Sequence, residues 1–133
     1  MFVQVFHYSP LAVGLGSSES TESDGRISVA TVTGDVDESV RAEFSHTLAD
    51  AVDDTSNAVV IDLSHVDFLG VSGALALTEV QVRSDLRHRG LLLVPGSPVF
   101  RTLTVTGLLE SFRCFPSVQE AVTALRTDEA SVA

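Results

Sequence analysis

Apolar and polar positions along the chain fall into segments with two different periods. Residues 26–32 alternate and are rich in β-branched types, which predicts a strand ended by residues 33–37. Beyond it, Val40, Phe44, Leu48, Ala51 and Val52 recur at helical spacing, with Asp37 placed to cap the N-terminus. Asn57 interrupts this pattern, and residues 58–63 form a nearly unbroken apolar run, as a central parallel strand does. Residues 64–70 read as a short connection into a second helix that carries Ala74, Leu75, Leu77, Val82 and Leu86 and stops at Gly90. A strand at 91–94 follows. Ser97 and Pro98 then give a cap-plus-first-turn signature for a helix ending at Gly107. Residues 112–115 read as a short strand. Ser117 to Glu120 fits a capping box, opening a last helix with Val118, Val122 and Leu125 apolar.

The ends of the chain are less regular. Residues 2–6 and 11–15 are two apolar stretches separated by Ser9 and Pro10, and either fits an edge strand. Residues 16–25 contain no apolar side chain and read as a mobile acidic loop, and residues 127–133 as a frayed tail. No repeat or interior linker divides the sequence. A single α/β domain over 1–133 is expected, with its body at about 26–126 and a right-handed strand–helix–strand unit at its centre. Phe44, Leu48, Ile61, Leu63, Leu75, Leu103 and Val122 sit on the apolar faces of their elements and are the expected core.

Composition narrows the function classes. Apolar residues make up 44% and charged residues 20%, a globular balance, and the longest apolar runs fall far short of the roughly 20 residues that a bilayer needs. The first residues carry no basic region and no cleavage-like site, so a cytoplasmic protein without a secretory signal is expected. The net charge is −10, with eight arginines and no lysine. Such a surface repels phosphate backbones and anionic headgroups, which argues against nucleic acid and membrane insertion and for a basic or mixed protein surface as partner. The single cysteine, Cys114, rules out an internal disulfide and fits a reducing compartment.

Four segments in order resemble STAS domains, the family of bacterial anti-sigma factor antagonists. Thr33-Gly34-Asp35-Val36-Asp37 resembles the "TGELD" closing that family's second strand, and residues 61–69 resemble its "lDlsxVxfi" segment. Residues 97–108 resemble "sPxvxrxLxxtGL", and residues 115–121 the closing "fxsxxeA". The resemblance implies a mixed sheet of about four or five strands with about four helices packed mainly on one face. It also implies a non-enzymatic module that binds a histidine-kinase-like anti-sigma kinase through residues 70–74 and the Asp35–Asp37 corner. In the family, that kinase phosphorylates the first serine of Asp-Ser-Ser-Gly at the start of the second helix. Here the four positions read Gly70, Val71, Ser72 and Gly73, followed by Ala74. The acceptor hydroxyl is absent. Ser72 is the remaining candidate for phosphorylation; otherwise it is a helix-start hydroxyl satisfying local N–H groups. The alternatives are a regulatory subunit docking on a transporter ATPase and a small-ligand sensor, and a homodimer is compatible with either class.

Other candidate chemistry is sparse. Asp35 and Asp37 can face a partner, fill a turn and cap a helix, and these roles are compatible. Arg83, Arg87, His88 and Arg89 read as a solvated helix end complementing the helix dipole. The four histidines show no metal-ligand spacing, and no cofactor motif or "GxSxG" elbow occurs. Cys114 falls on the apolar face beside Phe112 as core filler rather than as a redox thiolate.

Overall fold

The computed structural model describes residues 1–8, 27–54 and 57–132. The loop expected at 16–25 and the apolar stretch at 11–15 lie outside them. Five strands, β1 (Phe2–Tyr8), β2 (Ile27–Val36), β3 (Ala58–Leu69), β4 (Gly90–Val94) and β5 (Arg113–Cys114), form one sheet in sequential order. Strand β1 is the antiparallel edge, and the other four run parallel. The helices are α1 (Arg41–Asp54, after a 3-10 turn at Glu38–Val40), α2 (Val71–Leu86), α3 (Ser97–Val105) and α4 (Val118–Val132).

Chain order explains the layering. Four parallel strands laid side by side in one direction, each joined by a right-handed crossover, put α1, α2 and α3 on the same face. On that face Phe44, Leu48, Leu77, Val80, Val99 and Leu103 pack against Val59, Ile61, Leu63, Leu91 and Leu93. The chain leaves β5 at the sheet edge and returns across the other face. There Ala121, Val122 and Leu125 of α4 cover Ile27, Val29, Val60 and Leu92. Because both faces are covered, β3 is apolar at successive positions from Ala58 to Ile61. This is the mixed five-stranded, four-helix α/β architecture expected.

Several boundaries differ from the reading of the sequence. Strand β2 does not end at residue 32 but runs to Val36, with register shifts at 31–33 and 34–35. Gly34 adopts φ +95°, and a Cβ there would lie 3.3 Å from the Met1 backbone. Strand β3 absorbs residues 64–69, because that bulged end of β2 supplies partners as far as Leu69. Helix α2 stops at Leu86, before Gly90. His88 takes the left-handed position (φ 58°), Arg89 N–H donates to the Ser84 carbonyl at 2.8 Å, and His88 N–H donates to that of Asp85 at 3.1 Å. That is a Schellman closure with histidine where glycine is usual. The cap of α3 is Gly96, not Ser97, and no side chain bonds there. Helix α4 continues to Val132, past the expected end at 126, through a stretch without Gly or Pro. At its start the Ser117 hydroxyl accepts from Glu120 N–H at 3.1 Å, as the capping pattern predicts.

Of the seven expected core residues, Phe44, Leu48, Ile61, Leu63, Leu103 and Val122 are buried. Leu75 is not. It is 49% exposed, because Gly73, Leu77 and Val80 form the face of α2 turned to the sheet, and Leu75 lies opposite them.

Candidate functional site

The ends of β2 and β3 and the start of α2 meet at one corner. Gly70 N–H donates to the Val36 carbonyl at 3.0 Å, and Asp35 pairs in register with Phe68. Asp35 and Asp37 are both exposed beside this junction. Asp37 Oδ1 accepts from Ser39 N–H at 3.0 Å and from the Ser39 hydroxyl at 2.6 Å, so it caps the turn leading into α1. The Ser39 hydroxyl bond, chiefly, holds the Asp37 carboxyl below its ordinary range against an opposing effect of burial, with the backbone N–H groups of Ser39 and Val40 adding to it.

Helix α2 begins without a side-chain cap. Gly70 is the N-cap residue at φ −78°, ψ 173°, ordinary extended backbone that any residue adopts. A Cβ at this position would meet the Phe68 ring edge at 3.4 Å and the Val36 carbonyl oxygen at 3.7 Å, both ordinary contact distances. Glycine is therefore not required at 70 by the backbone. Val71 is the first helical residue and is 61% exposed; Phe68 and Leu75 beside it are about half exposed. The first turn is tied sideways to α1, since Arg41 Nε donates to the Ser72 carbonyl at 3.3 Å and its Nη2 pairs with Glu79 at 2.9 Å. Ser72 is half-buried on that side. The expected capping role of its hydroxyl is not found, because no side chain caps this helix.

The structure thus divides the residues singled out in the sequence. Asp35, Asp37, Gly70, Val71 and Ser72 reach one surface. Gly73 and Ala74 do not, for both are buried. A Cβ on Gly73 would come within 2.6 Å of Leu69 Cδ1 and 3.0 Å of Val36 Cγ1, so Gly73 is a close-packing position rather than a contact for a partner. Three residues were missed. Phe68 was hidden by reading 64–70 as a connection, and Leu75 by its apolar character. Arg41 has no local signal, since its partners lie 31 and 38 residues away.

The other candidates resolve into packing. Arg83 and Arg87 keep 42% and 48% of their side chains in solvent, as a solvated helix end does, and both pair with Asp53 of α1, at 2.6 and 2.7 Å. Burial pushes the Cys114 thiol up, away from the thiolate form that redox sensing needs. Cys114 and Ser64 line a cleft of about 300 Å³ with Val94, Pro95, Phe100 and Phe115. The Ser64 hydroxyl there is committed to Asp62 at 2.6 Å, which leaves the cleft poor in groups to orient a ligand.

The surface that remains is apolar in the middle and acidic along one edge. Its setting matches known proteins. The chain is 30% identical to the anti-sigma-F factor antagonist RsfB of Mycobacterium tuberculosis over 102 residues, covering 75% of this chain and 82% of that protein. A crystal structure of an anti-sigma factor antagonist from Mycobacterium paratuberculosis superposes with a TM-score of 0.72 at 27% identity, over 94% and 95% of the two chains. The murine anion transporter Slc26a9 contains the same fold, with a TM-score of 0.66 at 18% identity over 76% of this chain and 18% of that one. The STAS domain family profile matches residues 19–121, which hold the corner, strands β2 to β5 and helices α1 to α3, so the chain belongs to the STAS domain family.

Proposed function

We propose that this chain is an anti-sigma factor antagonist that binds its partner through the corner formed by Asp35, Asp37, Phe68, Gly70, Val71 and Ser72, and that it is not switched off by phosphorylation there. Val71 carries the reading. It occupies the acceptor position of the family's phosphorylated serine, at the first residue of α2, with its side chain in solvent and no hydroxyl to modify. A phosphate at a helix start gains from free N–H donors, while its added charge opposes docking of a partner across the same surface. A valine keeps the surface and removes that control.

The chemistry of the corner suits a protein partner. Its centre contributes apolar area, and the acidic edge and the chain's charge of −10 favour a basic rim opposite, as on a histidine-kinase-like ATPase. The likeness to RsfB, an anti-sigma-F factor antagonist, supports the same reading.

Incubation with the cognate anti-sigma kinase and ATP should leave the protein's mass unchanged while the two remain bound. The paired substitution Gly70→Asp with Val71→Ser should restore a phosphate-sized mass increase, because the backbone at 70 accepts a side chain. Phosphate on Ser72 of the unmodified chain would overturn the loss of control. Binding of both forms to a transporter ATPase, and of neither to an anti-sigma kinase, would replace the antagonist reading.

A further inference from the structure

Two short stretches of chain, distant in sequence, close into a ring at the corner. On one side the Asp37 carbonyl accepts from Val40 N–H at 3.2 Å, and the Asp37 carboxylate accepts from Ser39. Arg41 N–H donates to the Glu38 carbonyl, so residues 37–41 are one bonded turn. On the other side, residues 70–72 open α2. Gly70 N–H donates to the Val36 carbonyl at 3.0 Å at one end of the ring, and Arg41 Nε to the Ser72 carbonyl at 3.3 Å at the other. Asp37, Gly70, Val71 and Ser72 all lie within it. The first closure joins two backbones. The second is made by one side chain, at the start of a helix whose N-cap makes no side-chain bond.

Helix electrostatics does not favour a cation in this place. Arg41 is the first residue of α1 and bonds to the first turn of α2, and both turns carry the positive end of a helix dipole. At the far end of the same two helices Arg83 lies in the last turn of α2, where its charge suits the dipole. A residue that breaks the local rule marks a position held for another reason. Glu79, two turns along α2, accepts from Arg41 Nη2 at 2.9 Å and offsets its charge, and the two side chains remain 36% and 58% exposed. A pair so exposed contributes little to stability. Its geometric effect is larger, because one planar guanidinium meets α2 at two points and sets that helix against α1.

We infer that Arg41 is a positioning residue for partner binding: it closes the ring and holds the acidic edge of Asp35 and Asp37 at a fixed separation from Val71. This role rests on the proposed function. A surface whose acidic and apolar parts come from two different helix starts loses affinity when they move independently, since binding must then also order them. Charge alone gives the opposite sign. Removing Arg41 makes an acidic chain more acidic, which strengthens its attraction to a basic rim. The direction of the change therefore separates position from charge.

Isothermal titration calorimetry with the cognate anti-sigma kinase should show Arg41→Ala binding about tenfold more weakly than the parent, the scale of one charged hydrogen bond. Arg41→Lys keeps the charge but has one nitrogen for two sites, so it should recover only part of the loss. Glu79→Gln should weaken binding less, and should add little to Arg41→Ala, because both break one linkage. In free Arg41→Ala, amide exchange should quicken at Ala74, whose N–H closes the first turn on the Gly70 carbonyl at 3.1 Å, and stay unchanged at Val60 and Ile61. Binding by Arg41→Ala that equals or exceeds the parent's overturns the role, and so does full recovery by Arg41→Lys. Exchange that quickens equally at Val60 and Ile61 also overturns it, by making Arg41 a support of the whole fold. A parent that binds no anti-sigma kinase overturns the proposed function and this role with it, whereas a parent that binds no better than Arg41→Ala overturns this role alone.

Discussion

The two faces of α2 are close in composition and opposite in fate. Gly73, Ala74, Leu77 and Val80 are buried against the sheet, while Val71, Leu75, Val82 and Leu86 stand in solvent. Residue type does not separate them; the plane of the sheet does. In a helix with apolar residues on both sides, the face that serves folding is read only once the sheet has been located. Truncating each face breaks or sharpens this contrast. Leu77→Ala should cost about 2–5 kcal/mol, as for other buried aliphatic truncations. Leu75→Ala, two residues earlier, should change stability by less than about 0.5 kcal/mol in dilute solution. Urea titration of both variants decides it, and equal losses would make the outward face part of the core.

A smaller effect tests how tightly the inner face is seated. Intrinsic propensity alone favours alanine over glycine in a helix by about 1 kcal/mol. At Gly73 the added methyl meets Leu69 and Val36, which are 2% and 0% exposed and so have little room to move aside. Overpacking of this kind costs about 1–3 kcal/mol. Gly73→Ala should therefore be destabilising on balance, by about 1 kcal/mol. A gain in stability would show that α2 can lift from the sheet without penalty. At Gly70 the same comparison gives the opposite answer, since a Cβ has space there and the backbone is ordinary.

The legible parts of the sequence were those in which local pattern and tertiary role coincide. The unbroken run at 58–63 announced a strand buried on both sides, and the serine and glutamate at 117 and 120 announced a helix start. The illegible parts depend on partners distant in sequence. Residues 64–69 look like a connection until the bulged end of β2 is laid beside them. Nothing near His88 marks it as the residue that reverses α2, because Asn and Gly are the usual signals there. At the site, Val71 and the acidic corner could be placed from the family pattern. Gly73 and Ala74 were carried along by the same pattern, although the helix rotates them into the sheet. Phe68 and Leu75 were lost because an apolar residue in an apolar helix or strand gives no sign of facing outward.

The least of the expected effects lies on the seam between the two faces, where α2 is tied to α1. Arg83 donates from Nε and Nη2 to the two oxygens of Asp53 at 2.9 and 2.6 Å, and Arg87 adds a contact at 2.7 Å. The Arg83 hydrogen bonds, more than the charges of Arg83, Arg87 and Arg89, hold the Asp53 carboxyl below its ordinary range, against an opposing effect of burial. A carboxylate whose folded pKa is depressed stabilises the fold above its unfolded value, near 4, and loses that contribution as pH falls through the folded value. Asp53→Asn should therefore be less stable than the parent at neutral pH, and the difference should shrink in acid and vanish below the folded pKa. The groups are partly exposed, so solvent and salt screen them, and the difference at neutral pH should be smaller than that of Gly73→Ala. Urea titrations of the two proteins across the acid range measure it directly. A difference that persists unchanged below the carboxylate range would mean that Asp53 joins α1 to α2 by shape and neutral hydrogen bonding, and that charge has no part in seating the helix.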